Sequence, residues 1–213
     1  MSQYSLKTKL FKFIITLTLL ASIPQVINKS QLDGIIIEHC YRLKFYEIKS
    51  TLSDEIDRHI ACNSRDSKLN PDSIIGLCLT HEFDVVLLLA QAQIESNYGT
   101  AGQASRTNSP WNIVGPSYSD PNEAIEPYII LVKYSYLRER PVTVLFESYT
   151  NAGGSRYAED PEYEQKLRTT YYTIKNNTDI HNLFEKLKEL HVREYRVFLS
   201  EYPIFFCSKL YII

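Results

Sequence analysis

The feature that most limits what this chain can fold into is residues 84–115, DVVLLLAQAQIESNYGTAGQASRTNSPWNIVG. The stretch opens with an apolar run, 85–90, free of Pro, Gly and charge. Gln91, Gln93 and Glu95 then bring in polar groups, and Asn97-Tyr98-Gly99 reads as a helix stop with Gly just past the C-cap. Leu88, Ala92 and Glu95 fall at i, i+4 and i+7, so one face of the helix carries the carboxylate. Leu87, Leu89 and Ala90 make other faces apolar as well. A helix apolar nearly all round is a central one. The pattern therefore predicts a buried helix near 84–97 with Glu95 on its last turn. Burial and the negative end of the helix dipole both favour the protonated carboxyl. That is the state a general acid needs near neutral pH.

Other helices follow from the same periodicity. Leu52, Ile56 and Ile60 mark a helix over 52–61, with Ser53 as an N-cap candidate. Ile35-Ile36-Ile37 fits a short strand or a helix. Residues 63–70 read as a polar linker, and Asn70-Pro71 as an N-cap and N1 pair opening a helix through Leu79. Ile125, Ile129, Val132 and Tyr136 share one face of a helix over 122–137. Residues 141–149 suit a helix entered through Pro141, 162–175 a closing helix, and 181–200 an amphipathic one on Leu183, Leu187 and Leu190. Residues 151–155 form a loop in which Gly153-Gly154 allow backbone angles barred to other residues.

At the N-terminus Lys7, Lys9 and Lys12 precede an 11-residue apolar run, 13–23. This reads as a signal peptide h-region, or as an uncleaved membrane anchor through residues 13–27, since no clear small-residue cleavage site follows. The expected organisation is 1–30 as export segment or anchor, 31–69 as a helical extension, 70–178 as the main domain, and 179–213 as an amphipathic helix with an apolar tail. The tail is expected to dock on its own domain.

A net charge of −2 gives no support for nucleic-acid binding, and none for capture on an anionic wall by charge alone. The four cysteines contain no C-x-x-C pair, so no zinc site, and more broadly no metal or cofactor, is expected. Cys78 sits on an apolar helix face and reads as a small buried hydrophobe. The five histidines are scattered, and the chain has no G-x-S-x-G, H-E-x-x-H or Gly-rich phosphate loop. Of the 16 tyrosines, most read as core-edge residues whose hydroxyls reach water.

Residues 90–99, AQAQIESNYG, followed by 108–113, NSPWNI, resemble the glucosaminidase family of peptidoglycan hydrolases found among autolysins, flagellar muramidase-like proteins and phage lysis proteins. That family carries an "AQxxxESxxG" helix end and, one loop later, "N-x-[LVF]-[FW]-[GN]-[IV]". A third segment, RYAEDPEY at 156–163, resembles its "YAxDPxY". Three segments in the right order are more specific than any one alone. The resemblance implies a mostly α, lysozyme-like α+β fold: a helical bundle around a buried central helix, with a reduced β-hairpin lobe. It implies endo-β-N-acetylglucosaminidase action on peptidoglycan strands by an exported protein. Glu95 matches the catalytic acid and Gly99 the turn glycine. Asn108, Trp111, Asn112 and Ile113 match the second segment.

Glycoside cleavage needs a protonated acid at the leaving oxygen and usually a second group at the anomeric carbon. For the second group the resemblance points to Tyr157 near the sugar, or to the substrate's own acetamido group. Family members carry a second acid on a β-hairpin where this chain has only Ser117-Tyr118-Ser119-Asp120. Glu123 is the candidate water-activating acid that remains; its alternative is a helix-dipole role with Glu126. Tyr98, Asn108, Trp111, Asn112 and Tyr128 are the candidate substrate contacts. Trp111 would stack on a sugar, shield the carboxyl, or simply fill the core. A lytic transglycosylase, needing one acid and no bound water, is the neighbouring reading. A wall-binding or virion structural module that kept the groove and lost turnover is the reading from another class.

Overall fold

The structure, a computed structural model, describes residues 29–113, 115 and 117–201. The expected export segment or anchor and the apolar tail 204–213 lie outside the described residues. The chain divides into two compact units, 1–40 and 41–213. The described part of the first is the opening turns of helix α1, Lys29–Asn63. The remaining described residues belong to the second.

Seven α-helices are present among the described residues, and no strand. After α1 come α2 (Pro71–Thr80), α3 (Val85–Ser96), the short α4 (Ala104–Thr107), α5 (Ile125–Ile130), α6 (Tyr163–Asn177) and α7 (Ile180–Glu201). A 3₁₀ turn, Pro121–Ala124, leads into α5. A π-helical segment, Leu131–Leu137, continues from it, and a second 3₁₀ turn, Val142–Phe146, follows.

α1 runs unbroken through 35–37 and Ser53, so Ser53 is an interior residue and not an N-cap. The apolar stripe Leu52, Ile56 and Ile60 is buried as the spacing predicts. Each such aliphatic side chain contributes about 1.5–3 kcal/mol on burial. The Asn70 side chain accepts from the Ser73 N–H and caps α2, with Pro71 following. Cys78 is buried in the core.

α3 is the central helix. Val86 to Ala90 have no exposed surface. Its N-terminus is capped by Asp84, whose Oδ1 accepts from the Val86 and Leu87 N–H groups while Oδ2 accepts from the Tyr171 hydroxyl of α6 at 2.8 Å. α6 is its main packing partner. α7 buries Ile180, Phe184 and Leu187, with Leu183 only partly buried beside them. This stripe is offset from Leu183-Leu187-Leu190 because Phe184 offers the larger apolar area.

The expected β-hairpin lobe is not found among the described residues. Residues 117–120 run without strand pairing into the 3₁₀ turn. An antiparallel bridge lies elsewhere among the described residues, between Thr150 and Arg156, closing the glycine loop of 151–155. The Tyr157 N–H donates to the Tyr149 carbonyl at 2.8 Å, so this loop brings two aromatic residues side by side. The helix expected over 141–149 is only the 3₁₀ turn of 142–146. The β-branched Val142, Thr143 and Val144 favour helix weakly and contribute to its shortness.

Candidate active site around Glu95

α3 ends through three successive residues at positive φ: Asn97 at 48°, Tyr98 at 58° and Gly99 at 85°. Only glycine takes such angles at no steric cost, and Asn tolerates them better than most. A Cβ on Gly99 would also come within 3.3 Å of Pro110 Cγ. This tight exit lets the next segment fold back on the helix end. Ser96 fastens it: its hydroxyl donates to the Pro110 carbonyl at 2.6 Å and accepts from the Gly99 N–H at 2.8 Å.

Glu95 is thereby placed on the last turn, half-buried, beside residues from both other family-like segments. Tyr163, the first residue of α6, donates to Glu95 Oε1 at 2.5 Å. The Asn112 amide donates to the Glu95 main-chain carbonyl at 2.8 Å and to Oε2 at 3.2 Å. Burial pushes the Glu95 carboxyl above the usual glutamate range, and the bonds from Tyr163 and Asn112 oppose that rise. The outcome is a carboxyl that holds its proton to higher pH than a free glutamate.

Tyr157 lies alongside. Its hydroxyl donates to the Trp111 carbonyl at 3.1 Å, and its ring stacks on Tyr149 with centroids 4.4 Å apart. Burial raises its phenol well above the ordinary value, and the Glu95 charge adds to the rise. Its proton is therefore a structural donor at any working pH.

The candidate substrate contacts divide. Asn112 is exposed and reaches Glu95, and Asn108 is half-buried but serves the backbone, donating to the Tyr118 and Ser119 carbonyls at 2.9 and 3.3 Å. Trp111, Tyr98 and Tyr128 are corrected by their burial, at 1%, 1% and 0% exposure. Trp111 donates its indole N–H to the Leu88 carbonyl at 3.0 Å and stacks on Tyr128, 4.7 Å between centroids. With its face covered by Tyr128 it offers no platform to a sugar. The Tyr98 hydroxyl joins His59 Nε2 at 2.7 Å and Gln93 Oε1 at 3.1 Å, tying the helix exit to α1.

Glu123 is exposed and turned to its own loop. Its carboxylate accepts from the Ser119 hydroxyl at 2.7 Å and the Ser119 N–H at 3.1 Å. It holds the 3₁₀ turn and does not contact Glu95 or its partners.

Two residues not singled out by the sequence reading complete the site. Gln91 lies one turn before Glu95, buried. Its Oε1 accepts from the hydroxyls of Tyr128 and Tyr149, and its Nε2 donates to the Tyr163 hydroxyl at 3.0 Å. Tyr163 is the second. The signals were the i, i+4 spacing of Gln91 and Glu95 and the last tyrosine of 156–163. Two grooves run along α6, one of about 470 Å³ that includes Ile94 and Lys166, the other of about 870 Å³ that includes Arg168 and Tyr172; Glu95 lines neither. Among the described residues no three His, Cys, Asp or Glu side chains cluster to hold a metal ion. No family model matches the chain, and no curated protein matches it. The resemblance to glucosaminidases thus stands on the three short segments.

Proposed function

We propose that this chain cleaves glycosidic bonds in peptidoglycan strands, with Glu95 as general acid. The observation that carries the reading is the convergence of three separate segments on one half-buried carboxyl: 90–99 supplies it, and 108–113 and 156–163 hold it through Asn112 and Tyr163. A carboxyl raised by burial keeps a proton to give to the leaving glycosidic oxygen. The substrate class comes from the resemblance, which favours the bond beside N-acetylglucosamine. The basic and apolar pattern of residues 1–30 supports export to the wall.

Transglycosylation is the second reading, and the engagement of Glu123 with Ser119 favours it. Hydrolysis needs a base to activate water, or the substrate's acetamido group to attack first. Transglycosylation needs neither: Glu95 protonates the leaving oxygen, then takes the proton of a hydroxyl on the same sugar as that oxygen closes on the anomeric carbon. The C–O bond to the leaving sugar breaks and an intramolecular one forms.

Zymography on purified walls tests the proposal, with Glu95→Gln as the control. Clearing by wild type and loss of about 10²–10⁴-fold in Glu95→Gln is the expected result. Mass spectrometry of released ends separates reducing from anhydro products. Binding without cleavage of any wall would replace the enzyme by a wall-binding or virion structural module.

A further inference from the structure

The buried amide of Gln91 is the fixed point of a hydrogen-bond chain that ends at Glu95. Tyr128 and Tyr149 are both fully buried, and each hydroxyl proton needs an acceptor. Gln91 Oε1 takes both, Tyr149 at 2.8 Å, which fills its two lone pairs. Turning the amide over would point an NH₂ group at two buried hydroxyl protons, and a buried donor left unmade costs about 1–3 kcal/mol. The two tyrosines thus decide which way Gln91 faces.

With Oε1 committed, Gln91 can only donate to its remaining neighbour. Its Nε2 does so at 3.0 Å to the oxygen of Tyr163. The Tyr163 proton then points the other way, to Glu95 Oε1 at 2.5 Å. A proton on Oε1 would have to point away from Tyr163 and would turn that oxygen into an acid hydroxyl, a much poorer acceptor for the Tyr163 proton than a carbonyl oxygen. The other carboxyl oxygen, Oε2, lies on the side of the exposed Asn112. The amide there is committed chiefly to the Glu95 main-chain carbonyl, at 2.8 Å against 3.2 Å to Oε2.

We propose that Gln91, oriented by Tyr128 and Tyr149 and acting through Tyr163, fixes the transferable proton of Glu95 on Oε2. Gln91 and Tyr163 are positioning residues: neither gives the proton, and together they determine the oxygen that carries it. The catalytic meaning of this placement rests on the proposed role of Glu95 as acid. The placement itself does not, and it is measured without turnover.

The measurement is infrared difference spectroscopy of the full chain at a pH low enough to keep Glu95 protonated. Subtracting Glu95→Gln isolates the carboxylic C=O stretch of Glu95. If the proton is on Oε2, the carbonyl oxygen is Oε1, the one that accepts from Tyr163. Tyr163→Phe should then move the band to higher frequency, because the carbonyl loses its donor, and Asn112→Gly should leave it in place. Gln91→Met should move it in the same direction as Tyr163→Phe, by less. The reverse pattern, with the band following Asn112→Gly and ignoring Tyr163→Phe, would place the proton on Oε1 and overturn the inference. Should Gln91→Met not fold, the Tyr163 and Asn112 variants decide alone, since Phe keeps the ring and Gly suits the positive φ of 49° at position 112. Wall cleavage is scored separately. No cleavage by wild type with the band shifts as expected removes the acid assignment and leaves the proton placement standing; cleavage with an unmoved band does the opposite.

Discussion

Asn112 holds Glu95 twice, by its main-chain carbonyl at 2.8 Å and by its carboxylate at 3.2 Å. The first bond satisfies one of the last-turn carbonyls of α3 that the helix leaves without a partner. The second places a polar group on the open side of the acid. One side chain thus closes the helix end and orients its functional group. It does so from a backbone at φ 49°, an angle that Asn tolerates.

Position 112 separates these two roles. Asn112→Gly removes the amide and keeps the backbone unstrained, whereas Asn112→Ala adds roughly 1–2 kcal/mol for a Cβ in the left-handed region. Urea unfolding should therefore rank glycine above alanine. Both variants lose a bond that lowers the Glu95 pKa, so ¹³C NMR should show Glu95 titrating at higher pH in each. Equal stability of the two, or an unmoved titration, would contradict the assignment.

Glu95 should cost stability as pH rises. Its folded pKa lies above the ordinary glutamate value because burial penalises the charge. Between the unfolded and folded pKa values the native state binds more protons than the unfolded one, so stability falls with rising pH across that window. Glu95→Gln removes this dependence. The variant should match wild type in melting temperature below the unfolded pKa and exceed it at neutral pH. Cleavage should decline over the same window, as the acid loses its proton. A variant less stable than wild type at neutral pH would mean that the carboxylate is welcome where it sits.

Trp111→Phe tests the buried position of the indole. It removes the indole bond to the Leu88 carbonyl, which that carbonyl accepts beside its own helical bond in α3, and opens space beside Tyr128. The two effects together should cost roughly 2–4 kcal/mol. The change should appear in denaturant unfolding and not as weaker binding of wall fragments. Loss of fragment affinity with an unchanged unfolding midpoint would put the ring back on the surface as a sugar platform.

Glu123→Gln should leave cleavage within about twofold of wild type, because the carboxylate serves the Ser119 turn. An exposed polar substitution of this kind changes stability by about 0.5 kcal/mol or less. A large drop in turnover would restore Glu123 as a working base brought in by substrate binding.

Much of the site was readable from local pattern. The run at 85–90, the polar residues after it and the stop at 97–99 located α3 and put Glu95 on its last turn. Asn70-Pro71 located the start of α2 in the same way. Other features were not readable. Ser53 has the chemistry of an N-cap, yet α1 passes through it, because Leu52, Ile56 and Ile60 bury one continuous stripe. Trp111 has the chemistry of a sugar platform, yet Tyr128 covers its face.

The amino-acid order alone determined where the central helix begins and ends and which turn carries the acid, since caps, breakers and the 3.6-residue period act over a few neighbours. Only the tertiary structure decided what surrounds that acid. Tyr163 reaches Glu95 across 68 residues, and Gln91 collects Tyr128, Tyr149 and Tyr163 across 37, 58 and 72. No local rule sets such partners. They meet because α5, α6 and the segment between them bury apolar side chains in the same core as α3, and the polar atoms carried along must then find one another.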